Sequence, residues 1–281
     1  MTPQEREALF VQARQNSTRQ ESLAEAERTW VEVIAAYRAA TAEPARADVR
    51  DRQQLARALW RYGMVLAMRG RAGDGLAPAR EAVAVFKQVD AALAGANSSV
   101  TSPGRDEALS ELITAMTDLA ELSALVGRPD ARLELLDQAL GTGLRAAGPP
   151  PNAGVRTRRA MATAYHNLAV AQLHSLTRVP SAQQAEQAAL SASRAVQLRS
   201  DLLSESDPLT GRELANTYLV YARCLTLIMD FDRAEAALQM ADRLIDMLRP
   251  APLDLAAELR ETARMVAEGR AEVRGRTRRR R

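Results

Sequence analysis

Apolar residues recur at helical spacing along almost the whole chain. Leu59, Tyr62 and Leu66 form one stripe, Leu112, Met116 and Leu119 a second, and Tyr218, Tyr221 and Leu225 a third. A period near 3.6 residues puts each set on one face of an amphipathic helix. No segment alternates as a strand would; the Val and Ile residues sit inside helical patterns. The pattern breaks at Gly- and Pro-bearing stretches, namely 41–47, 94–105, 141–154, 204–208 and 249–252. Pro149, Pro150 and Pro151 make 147–154 the plainest linker, because proline cannot continue a helix. Shorter turns at 16–18, 70–74, 127–130 and 229–232 divide the intervals into pairs. The spacing predicts eleven helices over 3–15, 20–40, 46–69, 74–94, 105–126, 130–145, 155–177, 181–204, 209–228, 231–249 and 253–271.

Paired helices in series are a repeat signature. In Ala56 to Val89, Leu59, Tyr62, Gly63 and Leu66 are followed by Gly70 at the turn and by Gly75, Ala79 and Ala82. Ile113 to Ala146 carries Met116, Leu119 and Ala120, then Gly127, then Leu133, Leu136, Ala139 and Leu140. Ala215 to Leu248 carries Tyr218, Tyr221, Ala222 and Leu225, then Phe231, Ala234, Leu238 and Ala241. Ala162 to Val196 matches at Leu168, Ala169 and Arg194-Ala195-Val196, with an insertion around 177–183. These stretches resemble the tetratricopeptide repeat, a helix pair of about 34 residues. The repeat starts lie 49–57 residues apart, so helices or connections are longer than in that family.

The resemblance implies an all-α fold over residues 1–273. It would be a right-handed superhelical solenoid of about five antiparallel helix pairs plus a C-terminal capping helix, with a soft subdivision near 146–154. Small residues such as Gly63, Ala120 and Ala222 would let paired helices approach, and Leu59, Leu136 and Phe231 would fill the space between pairs. In the cap, Leu255, Leu259 and Met265 would face inward and Glu258, Arg260 and Glu261 outward. The family frame puts Arg57, Trp60, Arg61, Met64, Thr114, Thr117, Glu121, His166, Asn167, Val170, His174, Asn216 and Arg223 in a concave, partner-binding groove. Some members of the family clamp a terminal carboxylate with Lys and Asn. Here those positions hold Trp60, Met64, Thr117 and Glu121, which excludes that clamp. Such a lining suits an extended peptide or a partner helix.

Composition narrows the classes further. The 281 residues are 47% hydrophobic and 4% aromatic, with 38 basic against 35 acidic side chains, which excludes disorder throughout. Lys87 is the only lysine, and the weight of Arg and Ala fits a GC-rich genome of actinobacterial type. Six of the arginines, Arg274, Arg276, Arg278, Arg279, Arg280 and Arg281, lie in the last eight residues; without them acids outnumber bases by three. Such a block predicts a disordered, electrostatic tail. No apolar run is long enough to span a membrane, and Met1 to Ala13 is polar and acidic, unlike a signal peptide, so the expected compartment is the cytoplasm.

Little in the sequence suggests catalysis. Cys224 stands alone in an apolar helix, so no internal disulfide forms and the thiol reads as inert. His166 and His174 are eight residues apart on one helix, about 12 Å, too far to share a metal ion. Asp230 and Asp232 sit at a helix start, where carboxylates cap free N–H groups. No P-loop, dinucleotide fingerprint, zinc-protease or serine-hydrolase motif is present, and there is no facing pair of aspartate clusters. The expectation is a non-enzyme without metal or cofactor that binds a protein or peptide. The alternatives are a ligand- or peptide-sensing regulatory module and a nucleic-acid contact through the tail alone. The pattern leaves the partner and the oligomeric state open.

Overall fold

The computed structural model describes residues 1–43, 47–96, 99–149, 152–175, 181–203, 208–248 and 252–279. Pro150 and Pro151, the insertion residues 177–180, the other expected breaks at 44–46, 97–98, 204–207 and 249–251, and Arg280 and Arg281 lie outside them. Eleven α-helices appear among the described residues. They are α1 (Pro3–Asn16), α2 (Leu23–Ala40), α3 (Val49–Met68), α4 (Ala72–Gly95), α5 (Pro103–Leu125), α6 (Pro129–Ala147), α7 (Val155–Ser175), α8 (Ala182–Asp201), α9 (Pro208–Leu227), α10 (Phe231–Met247) and α11 (Leu253–Arg279). A 3₁₀ turn at Gln20–Ser22 precedes α2. The described residues form no strand. No helix among them is long and apolar enough to cross a membrane.

The chain forms two compact units, Met1–Ala160 and Met161–Arg281. In the first, α1 packs on α2, α2 on α3, α3 on α4, α4 on α5 and α5 on α6. Its largest fully buried side chains are Trp30, Leu59, Leu66, Phe86, Leu109, Leu112, Ile113, Met116, Leu122 and Leu136. A close approach of two backbones joins α3 and α4. A Cβ on Gly63 would stand 2.9 Å from the Gly75 carbonyl oxygen, and one on Gly75 would stand 2.6 Å from that of Gly63. The repeat frame marks both positions, and the backbones meet there because neither residue carries a side chain.

In the second unit, Ala169, Ala188, Ala189, Ala192, Val220 and Cys224 join α7, α8 and α9. Leu219, Leu225, Phe231, Leu238, Leu244, Leu255 and Val266 join α9, α10 and α11. Ala120 of the first unit and Ala222 of the second are fully buried, as the small-residue pattern predicts. Burial of this kind is the dominant stabilising term, because a single helix pair leaves one apolar face uncovered.

Three pair turns repeat one geometry. The N–H of Arg71 donates to the Leu66 carbonyl, that of Arg128 to Ser123, and that of Asp230 to Leu225, at 2.9, 2.9 and 3.0 Å. This six-residue closure requires a left-handed residue just before the donor. Gly70 and Gly127 take φ near +77° and +76°, whereas the third turn puts Met229 there at φ 61°. Asp230 then caps α10 through the Arg233 N–H, while Asp232 pairs with Arg270.

Two features of α11 differ from expectation. The helix continues past the expected end at 271 to Arg279, because each added residue gains a backbone hydrogen bond once the helix is nucleated. Met265 is 37% exposed rather than inside, and Leu255, Thr262 and Val266 make the buried stripe instead. The outer face carries Glu261, Arg264 and Glu268, ion-paired along the helix at 2.6 and 2.8 Å.

Met229→Gly should stabilise the second unit by about 1 kcal/mol, since a non-glycine residue in the left-handed region costs roughly 1–2 kcal/mol. Gly75→Ala should destabilise the first unit by about 1–3 kcal/mol through overpacking. Urea denaturation read by helical circular dichroism tests the first. Tryptophan fluorescence tests the second, because Trp30 and Trp60 both lie in that unit. A Met229→Gly protein no more stable than its parent would contradict strain at the turn.

Candidate interaction face

The side chains expected to line a groove sit on α3, α5, α7 and α9, and the structure divides them into three groups. Several are interior. Trp60 is 8% exposed, packs edge-on against Phe86 and donates its indole N–H to the Asp118 Oδ2 at 2.9 Å. Thr117 is 2% exposed, its hydroxyl bonded back to the Ile113 carbonyl. His166 is also buried. All three are buried where their helices pack against neighbours, in place of the groove lining expected of them. Thr114, half-buried, donates its hydroxyl to the Ser110 carbonyl.

A second group holds helices together. Arg57 of α3 pairs with Glu107 and Glu111 of α5 at 3.1 and 2.7 Å. Arg6 of α1 pairs with Asp51 of α3 at 3.0 Å, and Arg156 of α7 with Glu107 at 2.9 Å. In the second unit Arg223 of α9 reaches Glu258 of α11 at 2.9 Å and the Thr262 hydroxyl at 3.1 Å, and Arg212 reaches Asp254. Arginines of the odd-numbered helices thus bind carboxylates of a neighbouring odd-numbered helix. Guanidinium suits this task, being permanently charged and able to serve two acceptors. Glu121 is tied to Arg132 of α6 at 2.9 Å.

The third group is open to solvent to some degree. Arg61 is exposed and lies 4.5 Å over the Trp60 ring. Met64, Asn167 and Asn216 are half-buried, as is Val170, which packs against the α7–α9 core. His174 is exposed, so the two histidines sit in different environments on one helix.

Three polar groups that matter carry no motif in the sequence pattern. Asp106 of α5 is buried and accepts from the backbone N–H groups of Arg156 and Thr157 at 3.1 and 2.9 Å, capping the start of α7 from another helix. A Cβ on Gly154 would strike that carboxylate, so glycine is required there for space. No local sequence signal announces a cap supplied from 50 residues away. Asp118, behind Trp60, is held above the usual carboxylate range by burial, with the indole hydrogen bond pulling the other way.

The last is Arg199, only 5% exposed. It donates to the Glu213 carbonyl at 2.7 Å and to the Thr217 hydroxyl, and lies 3.5 Å from the Thr163 hydroxyl. Its Nε stands 3.9 Å from the Glu213 carboxylate. The Thr217 hydroxyl also meets the His166 Nδ1 at 3.3 Å. Ala185, Ala188, Ala192, Ala195 and Arg199 fall on one stripe of α8, and an arginine ending an apolar stripe was a readable sign. Burial, reinforced by the Arg199 charge, pushes the His166 imidazole down to about 3.

Burial also raises the Cys224 thiol to about 12, which keeps it protonated and unreactive at neutral pH. The described residues contain no cluster of three or more His, Cys, Asp or Glu fit for a metal ion.

His166 gives a prediction. It stays neutral in the folded protein down to about pH 3, whereas in the unfolded chain it takes a proton near pH 6.5. Stability should therefore fall as pH drops from about 6.5 toward 3, by up to about 1.4 kcal/mol per unit from this group. Melting curves of the parent and of His166→Gln across that range measure it. The variant should lose less stability on acidification, and parallel curves would exclude the effect.

No protein-family model matches the chain, and no curated protein matches its sequence. Among solved structures, BtubC (BKLC) from P. vanneervenii superimposes with a TM-score of 0.58 at 17% identity, over 84% of this chain and 80% of that one. A kinesin light chain candidate with nearly identical TPR-like repeats from Podosopora anserina aligns at 17% identity over 86% and 96% of the two chains, with a TM-score of 0.46. A tetratricopeptide repeat protein from Parabacteroides merdae covers 94% of this chain and 99% of its own at 13% identity, with a TM-score of 0.24. Only the first similarity is close enough to bear on architecture. Together with the helix pairs and their repeated turns, it makes the fold an all-α, tetratricopeptide-like helical repeat.

Proposed function

We propose that the chain is a non-catalytic scaffold that binds an extended peptide or partner segment on the α7–α9 face of its second unit. The observation behind this reading is the placement of Asn167 and Asn216. Each is half-buried, and each adjoins one end of the His166–Thr217 contact that joins the two helices. An amide both donates and accepts, as a peptide backbone does, so two such groups on a fixed platform match an extended main chain. In the first unit the corresponding face is occupied by ion pairs, with Arg57 and Glu111 engaged with each other. Arg57, Glu121 and Arg223 are thereby read as positioning groups, and Asn167, Asn216 and His174 as the recognition set.

Selection of binding peptides from a displayed random library on the purified chain, followed by calorimetry, tests the proposal. Asn167→Ala with Asn216→Ala should weaken binding roughly tenfold or more, at about 1 kcal/mol per lost hydrogen bond, without moving the melting temperature. Equal affinity of parent and double variant, or no enriched peptide, would overturn it.

A further inference from the structure

Charged side chains on the facing sides of α3 and α5 pair with one another or with a neighbouring helix. Arg57 holds Glu107 and Glu111, and Glu121 holds Arg132 of α6. Arg61 and Asp118 depart from that pattern among the described residues. Asp118 accepts one hydrogen bond, at its Oδ2 from the Trp60 indole N–H at 2.9 Å, and forms no ion pair. Arg61 stacks 4.5 Å above the same indole and forms none either. The two stand near enough for the Arg61 charge to pull the Asp118 carboxyl down, against the larger upward push of burial. The indole thus touches both charges, and they do not neutralise each other directly. Asp118 is half-buried and Arg61 is exposed, which leaves the Oδ1 of one and the guanidinium of the other for a ligand.

We propose that Arg61 and Asp118 bind a free α-amino acid with an apolar side chain, Asp118 taking its ammonium and Arg61 its carboxylate. Opposite charges at one place select a zwitterion. A cation alone would meet Arg61, and an anion alone would meet Asp118, with Glu121 one turn further along α5. The ammonium and carboxylate of an amino acid are separated by only two backbone bonds. A charge-assisted hydrogen bond of about 2.8 Å at each end lets that short unit bridge side chains that do not pair directly. The carboxylate of Asp118 gains most from such a donor, because it is poorly solvated and holds a single hydrogen bond. For the side chain of the ligand, Met64 lies one turn beyond Trp60 and is half-buried, and Met68 follows a further turn along, 48% exposed. Unbranched thioether chains adapt to different apolar shapes, so the site takes aliphatic side chains as a class. The Asn167–Asn216 face lies on other helices, in the second unit, and takes no part.

Leucine is the probe, titrated into the full chain and followed by tryptophan fluorescence, since Trp60 lies at the site while Trp30 is fully buried against Phe10 and Ser17. A saturable change should appear at about 0.1–1 mM. Leucinamide, which lacks the carboxylate, and 4-methylpentanoate, which lacks the ammonium, should each bind at least about tenfold more weakly. Asp118→Asn keeps an acceptor for the indole and removes the charge. It should lower leucine affinity at least about tenfold, with the melting temperature held or raised. Arg61→Gln, at an exposed side chain, should weaken leucine binding likewise without touching the interior. Asn167→Ala with Asn216→Ala should leave leucine binding unchanged, so either reading can fail without the other. No saturable change at about 10 mM leucine overturns the site. Binding of leucinamide or of 4-methylpentanoate as tight as that of leucine overturns the zwitterion. Unchanged affinity in Asp118→Asn or in Arg61→Gln overturns the assignment of the two charges.

Discussion

The close passage of two backbones sets the frame for this chain. Gly63 and Gly75 bring α3 and α4 to within the reach of a single methyl group, and buried alanines such as Ala120, Ala222 and Ala234 keep their own helices equally free of bulk where they pack. Helices so near one another expose their large residues sideways, and Leu59, Leu112 and Phe86 are covered only because another helix arrives on that side. Stacking follows from this geometry rather than adding to it. With aromatics at 4% of the chain, the interior is filled by many small contacts in place of a few large ones.

The polar side chains serve the same frame. Arginines on one odd-numbered helix hold carboxylates on the next, as Arg6 holds Asp51, Arg57 holds Glu111 and Arg223 holds Glu258. Half-exposed pairs of this kind contribute little stability each. Their effect is geometric, fixing which residues of neighbouring helices stand opposite one another. Asp106 does the same for α7, since the start of that helix is capped by a side chain of α5. Arg57 and Arg223, two of the arginines expected in a groove, are thereby engaged with carboxylates of neighbouring helices.

In the second unit the organisation is more polar inside. Arg199 crosses the interior to the Glu213 carbonyl and Thr217, with His166 beside it. A buried guanidinium needs acceptors, and Glu213, Thr217 and Thr163 supply them to its two terminal nitrogens. Neutral His166 completes the network, its basicity depressed first by burial and then by the neighbouring Arg199 cation.

The sequence by itself determined the helices, their pairing and the positions of close approach. Period 3.6, the turn residues Gly70 and Gly127, and the small residues Gly63 and Gly75 are local signals, and local signals survive without knowledge of neighbours. It also marked Cys224 as inert. What the tertiary structure alone decided was which polar groups face outward. Trp60 and Thr117 carry the same spacing as Arg61 and Thr114, yet two are interior and two are not. Asp106 caps a helix 50 residues away, and Arg57 meets Glu111 across a gap that no pattern on α3 discloses. Periodicity fixes the face of a helix on which a side chain lies; only the packed neighbour determines whether that face is solvent, core or another charge.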